Sequence, residues 1–166
     1  MAQRVARWGS WLLQNRRTVR APIPLFRAGL GFLFTRRMLL LEHVGRRSGQ
    51  PRYAVLEVVR EESPTSVVVA SGFGPGAQWF RNLLAEPHCH VSIGFTRRCP
   101  AMAHVLGEDE AGSVLRAYQQ ERPGAWEKLS AVIVEATGEA DPKVPLVRLD
   151  LRPRSAPEAG SGPAAV

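Results

Sequence analysis

The stretch Gly45-Arg46-Arg47-Ser48-Gly49-Gln50-Pro51-Arg52 sets three guanidiniums and a hydroxyl around two glycines. Glycine tolerates left-handed turn geometry. Such a turn leaves backbone N–H groups exposed, so the stretch reads as an anion cradle, a nest of amides with charged arms. It also reads as a solvated hairpin tip, and the residues alone leave both open. The use of arginine matters, because its planar fork matches phosphate and carboxylate where lysine offers only a point charge. Only Lys128 and Lys143 break the rule that the basic residues here are arginines.

Two other stretches invite chemistry. Ala70-Ser71-Gly72-Phe73-Gly74-Pro75-Gly76 follows a β-branched run and opens a helix. It is neither G-x-G-x-x-G nor a Gly-Lys-Ser/Thr loop, and no acidic residue ends the next strand, so the dinucleotide and Walker readings fail. What remains is close packing of a helix, or backbone approach to a flat ligand at a helix N-terminus. His88-Cys89-His90 would place two imidazoles on one face of a strand. Zinc needs a third and usually a fourth ligand at fitting spacing, and His43 and His104 stand apart, so no metal is expected. No G-x-S-x-G or other nucleophilic constellation is visible. Catalysis here would have to lean on a bound cofactor.

These residues need a scaffold. A chain of 166 residues with 45% hydrophobic and 22% charged residues suits one soluble globular core. Met38 to Val44 reads as a buried strand, Gly45 to Pro51 as a turn and Tyr53 to Arg60 as the return strand. Ser66 to Ser71 is a third strand, and Ala77 to Ala85 a helix ended by Pro87. His88 to Phe95 and Arg98 to Leu106 form a second hairpin. A tight turn at Phe95-Thr96 would put Cys89 and Cys99 on opposite faces, unbridged. Glu108 to Gln120 and Trp126 to Ala136 read as helices separated by Pro123-Gly124, and Pro145 to Leu151 as the last strand. Antiparallel hairpins outnumber any βαβ pattern. The expected class is therefore α+β, mainly β: a small antiparallel β-barrel with flanking helices.

Charge divides the chain. Residues 1–41 hold eight arginines and no Asp or Glu, while the remaining 14 basic residues face 15 acidic ones. Residues 3–17 read as an amphipathic helix with Val5, Trp8 and Leu12 on one side and Arg7, Ser10, Gln14 and Arg17 on the other. Residues 23–34 read as a second apolar helix, loosened by Gly29 and Gly31. Such an arm, residues 1–37, suits an anionic membrane surface. No recognised nucleic-acid module accompanies it. No apolar run is long enough to span a bilayer. The arginines interrupt any signal-peptide core, and a transit peptide is the nearer rival. The expectation is a cytoplasmic protein that touches the inner face of the plasma membrane. The tail 153–166 is rich in Pro, Gly, Ala and Ser and reads as disordered.

Leu39-Leu40-Leu41, the Gly45–Arg52 stretch, Val67-Val68-Val69-Ala70-Ser71 and Trp79-Phe80-Arg81-Asn82-Leu83 followed by Pro87 together resemble the deazaflavin-dependent nitroreductase family. The likeness runs from about Met38 to Leu106 and resumes at Pro145 to Leu151. It implies a split β-barrel of the FMN-binding type over residues 38–152 and coenzyme F420 as cofactor, with FMN the alternative. It further implies that Arg46, Arg47 and Ser48 wrap the phosphate of the F420 tail. The return strand, Arg52, Tyr53, Ala54 and Val55, would run beside the deazaflavin. Ala70, Ser71, Gly72 and Phe73 with Gln78, Trp79 and Phe80 would complete the pocket. This chain departs from many members in having Val55 where they have Pro, Gly72 where they have Lys, and Trp126 in a helix where some carry tyrosines.

The reading that follows is an F420H2-dependent reductase passing hydride to a lipophilic electrophile, a quinone or an activated alkene. Ser71 is a candidate hydrogen-bond donor near the ring, and Tyr118 and Trp126 are candidates for the substrate wall. The competing readings are a split-barrel protein that holds FMN, haem or a fatty acid without turnover, and a membrane adaptor. Monomer and homodimer both fit.

Overall fold

The computed structural model describes residues 22–138 and 144–152. Six antiparallel strands close on themselves in the order β1-β2-β3-β6-β5-β4. They are β1 (Met38–Val44), β2 (Pro51–Ser63), β3 (Ser66–Ala70), β4 (His88–Ile93), β5 (Thr96–Val105) and β6 (Leu146–Leu151). Closure leaves no strand edge unpaired, which removes the main aggregation hazard of a small sheet. Alternation places Leu39, Leu41, Leu56, Val58, Val67, Val69, Val91, Ile93, Val147 and Leu149 in the interior. Each such side chain contributes roughly 1.5–3 kcal/mol by leaving water. Leu40 is buried too, although it faces outward.

Among the described residues four helices flank the barrel: α1 (Pro22–Arg27), α2 (Gln78–Ala85), α3 (Glu108–Glu121) and α4 (Pro123–Thr137). α2 feeds Trp79, Phe80 and Leu83 into the barrel core. α3 turns Ala111, Val114 and Tyr118 inward at helical spacing, against Val59, Val68 and Leu146 on the barrel's outer face. Its first turn carries Glu108, Asp109 and Glu110, which suit the positive end of the helix dipole. Glu110 and Glu62 both grip Arg148 on β6, tying α3 and β2 to that strand.

The antiparallel barrel with flanking helices read from the hairpins, and implied by the resemblance to be of the split type, is the one observed. Details differ for local reasons. Residues 23–34 are not one helix. α1 ends at Arg27, Gly29 takes φ +86°, and Leu30–Phe34 winds as a 3-10 turn. Phe26 is 2% exposed, so this segment packs on the barrel. Strand β2 is longer than expected. Its register slips between Val58 and Arg60 and again between Glu61 and Ser63, and such bulges let one strand bend around a barrel. Pro123-Gly124 does not separate two helices. Pro123 is the first residue of α4, where its missing N–H costs nothing.

Cys89 and Cys99 also depart from expectation. The hairpin turns at Gly94-Phe95, with Ile93 opposite Thr96, yet Val91 lies opposite Cys99. Arg97 and Arg98 together oppose Ser92, and Arg98 adopts φ +44° with its N–H donating to the Ser92 hydroxyl at 2.9 Å. That bulge shifts the register by one, so both thiols point into the barrel, unbridged. The helix expected over 3–17 and the tail 153–166 lie outside the described residues.

Candidate functional site

The Gly45–Gln50 loop is closed by its own amides. Gly45 N–H donates to Gln50 O at 2.9 Å, and Ser48 and Gly49 N–H both donate to Gly45 O at 3.1 and 2.7 Å. Gln50 N–H donates to Ser48 Oγ at 3.3 Å, and Arg46 N–H donates to Asn82 Oδ1 at 3.2 Å. Five of the six loop amides are thus occupied, with Arg47 the exception. This corrects the expected nest of exposed amides. Gly49 does take the left-handed conformation, at φ +64°. A Cβ on Gly45 would sit 2.9 Å from Ser48 Oγ and 3.3 Å from Gln50 O, so a side chain there would push the Ser48 hydroxyl aside.

What the loop offers outward is side chains. Ser48 Oγ accepts from Gln50 N–H and, at 3.5 Å, from Arg52 Nη2, which leaves its own O–H to donate elsewhere. Arg47 and Arg52 are exposed, and among the described residues neither meets a carboxylate. Two guanidiniums that meet no described carboxylate and a hydroxyl donor are thus carried, exposed, on this loop and the first residues of its return strand, where an anion can reach them.

Arg46 is held differently. Its Nη1 donates to Gln78 Oε1 at 3.0 Å and to Asn82 Oδ1 at 2.9 Å. Gln78 and Asn82 are four apart on α2 and share a face. Because Arg46 only donates, Asn82 must turn its oxygen to it, which aims Asn82 Nδ2 at His43 Nδ1, 3.1 Å away. His43 Nδ1 is therefore an acceptor and the ring is neutral. His43 is 4% exposed, and burial, with a smaller push from the Arg52 guanidinium, brings its pKa down to about 4. The chain His43–Asn82–Arg46 fastens the loop to α2.

The other expected residues divide. Tyr53 and Val55 lie half-buried on the outer face of β2, with the Arg27 guanidinium 5.5 Å from the centre of the Tyr53 ring. Ala54 faces the interior. Ala70 faces the α3 layer, Gly72 is half-buried and Phe73 is 48% exposed. Ser71 is fully buried, and its hydroxyl donates to Gly74 O at 2.6 Å. In this structure Ser71 holds the turn and its proton is committed there. Trp79 and Phe80 point into the barrel core, so of the α2 set only Gln78 reaches the loop. Tyr118 is buried, with its O–H donating to Glu57 Oε1 at 2.8 Å, and burial followed by that bond pushes its pKa well above the ordinary tyrosine value. Trp126 packs half-buried on the α3 layer. Tyr118 and Trp126 are packing residues here.

A cleft of about 820 Å³ opens on the other flank of the loop, between Arg46, His90, Met102 and Arg152. Of the expected site residues only Arg46 borders it. Arg98 grips Glu42 there through two bonds of 2.9 and 2.8 Å, which holds the Glu42 carboxyl below its ordinary pKa. His43 and Asn82 were the residues missed. The spacing of Gln78 and Asn82 on one helix face, and of His43 with Leu39 and Leu41 on one strand face, was the available signal.

A family model described as F420H(2)-dependent quinone reductase matches residues 17–133. The chain belongs to that family. It is thus an oxidoreductase of the deazaflavin-dependent kind with coenzyme F420 as its cofactor, as the resemblance implied. The Mycobacterium tuberculosis protein Rv3178, provisionally named an F420H(2)-dependent quinone reductase, is 41% identical over 86 residues, which span 51% of this chain and 71% of the relative. Among solved structures, one described as a domain-swapped dimer aligns with TM-score 0.53 at 19% identity, over 78% of this chain and 100% of its own. The structure of an F420-H2 dependent reductase, FDR-A, aligns with TM-score 0.50 at 21% identity, over 70% of this chain and 96% of its own. At those identities the structural likeness shows the shared barrel fold.

Proposed function

We propose that the chain transfers hydride from reduced F420 to a lipophilic quinone or activated alkene, and that the Gly45–Arg52 loop anchors the cofactor. The observation that carries this is the set of unneutralised donors at the loop: Arg47, Arg52 and the Ser48 O–H, on a turn whose amides are satisfied internally. A phosphodiester fits such a set, because it brings acceptors and charge and needs no backbone amide. The residues present thus suit the phosphate of F420.

Bound F420H2 supplies a hydride from C5 of its deazaflavin ring. Arg47, Arg52 and Ser48 would hold the phosphate. Arg46, locked by Gln78 and Asn82, keeps the loop in place for that contact. The outer face of Tyr53 and Val55, with Gly72 and Phe73 beside it, would form the wall against the flat ring and exclude water. The cleft beyond Arg46 would take the glutamate tail. It contains Arg152, which meets no carboxylate among the described residues. The Ser71 backbone and hydroxyl would fix the turn under the ring.

The lipophilic substrate follows from the basic, tryptophan-bearing arm, which suits the surface of an anionic membrane. The test is anaerobic mixing of the protein and F420H2 with a short-chain naphthoquinone, cyclohexenone or a nitroarene, following the return of oxidised-deazaflavin absorbance. Turnover with the quinone or the enone is expected. Absence of turnover with all three, despite F420 binding, would overturn the hydride-transfer reading.

A further inference from the structure

Phe95 stands at the tip of the β4–β5 hairpin, 86% exposed. Its ring stacks on Phe32 with centroids 5.4 Å apart and planes 5° apart. Phe32 belongs to the 3-10 turn that also exposes Leu30 and, at 60%, Leu33, and α1 adds Leu25. Two segments distant in sequence thus present one apolar face. They are clamped together beneath it: a Cβ on Gly31 would lie 2.8 Å from the Phe26 ring and 3.3 Å from Gly94 O. Arg97 Nη2 donates to Arg27 O at 2.9 Å, across the same joint. Hairpin tips favour small polar residues, and solvent-exposed aromatics at a tip call for a partner.

The charges around this face choose the partner. Neither residues 22–41 nor residues 87–107 contain an Asp or Glu, while they carry Arg27, Arg36, Arg37, Arg97 and Arg98. Arg36 and Arg98 are neutralised by Glu61 and Glu42. Arg27, Arg37 and Arg97 meet no carboxylate among the described residues. An apolar centre with an arginine rim matches the interface of an anionic bilayer, where aromatic and leucine side chains enter below headgroups that pair with guanidinium. A second copy of this chain would set arginine against arginine, and residues 1–21 would do the same.

We infer that the Leu25–Leu33 segment and the Phe95 hairpin tip form a rigid docking face for an anionic lipid bilayer. This deepens the lipophilic-substrate reading and rests on it for its purpose. Arg27 lies over Tyr53, so the face borders the groove proposed for the ring. A quinone partitioned in the bilayer would reach that groove without crossing bulk water.

The test is co-sedimentation of the full-length protein with vesicles of phosphatidylcholine alone and of phosphatidylcholine with phosphatidylglycerol. The double variant Leu33→Ser/Phe95→Ser is compared with the unaltered chain. Both side chains are exposed, so the variant should fold, which its thermal melt verifies. Unaltered protein should bind the anionic vesicles and much less the neutral ones. The variant should lose about tenfold or more of its partitioning, from the apolar contact removed, while its F420 affinity stays unchanged. Undiminished vesicle binding by the variant would overturn the inference, as would equal binding to neutral vesicles. So would a lipid-free dimer, seen by equilibrium sedimentation, that the variant breaks. Failure of F420 to bind the unaltered chain would sink the proposed function and leave this result standing.

Discussion

His43 should make the protein acid-labile in a way that one substitution removes. The folded chain holds His43 neutral with a pKa of about 4, while the unfolded chain titrates near the ordinary 6.5. Between those values the unfolded state binds the extra proton, so stability is full above about pH 6.5 and falls as the pH drops towards 4. Integrated from about pH 7.5 to about pH 4.5, the loss from this one group is about 2.5 kcal/mol. Glu42 and Glu62, held below their ordinary pKa by Arg98 and Arg148, also lose stability on acidification, so the comparison must be differential. His43→Gln keeps an acceptor for Asn82 Nδ2 without the titration. Urea unfolding of both proteins at the two pH values gives the difference. The unaltered chain should lose about 2–3 kcal/mol more than His43→Gln across that range. Equal losses would refute the buried, neutral, hydrogen-bond-accepting imidazole, and with it the tautomer assigned to the His43–Asn82–Arg46 chain.

Replacing Arg46 and Arg47 together by Ala should weaken F420 binding by about 2–4 kcal/mol, read by fluorescence quenching, because the phosphate loses the charge-assisted contact from Arg47 and the loop loses the tie of Arg46 to Gln78 and Asn82. Arg52→Ala should cost about 1.5–3 kcal/mol in the same assay without lowering the melting temperature, since its side chain supports only a 3.5 Å contact to Ser48. Tyr118→Phe should destabilise the fold by about 1.5–3 kcal/mol in urea, because it leaves Glu57 without its donor, and leave turnover per bound F420 unchanged. Cys89, buried with a thiol pKa pushed up to about 12, should resist an aromatic disulfide reagent until the protein is unfolded.

The barrel was legible because its signal is local. Leu39-Leu40-Leu41 and Val67-Val68-Val69 read as buried strands, and short polar turns between such runs imply hairpins. The order of those strands with the Arg46–Arg52 turn carried the family. Register was not legible. The bulge at Arg97-Arg98 depends on Ser92 capping the Arg98 N–H, a contact that a linear scan for alternation does not weigh, and it reversed the face given to Cys99. The resemblance implied Trp79 and Phe80 as pocket residues, but both rings are buried in the barrel core, where their large apolar area is removed from water. The amides of the Gly45 loop looked free because the sequence does not reveal that Gly45 O would accept from both Ser48 and Gly49. The His43–Asn82 contact joins residues 39 apart, which no local pattern encodes.

Recognition of F420 in this proposal rests on its phosphodiester and glutamate tail meeting the loop and the cleft beside it. Titration of the full-length protein with F420 and, separately, with FMN, followed by fluorescence and calorimetry, tests this directly. F420 should bind at least about tenfold more tightly than FMN, since the tail adds carboxylates within reach of Arg152 and the loop arginines. Equal affinities for the two, or no binding of F420, would contradict it.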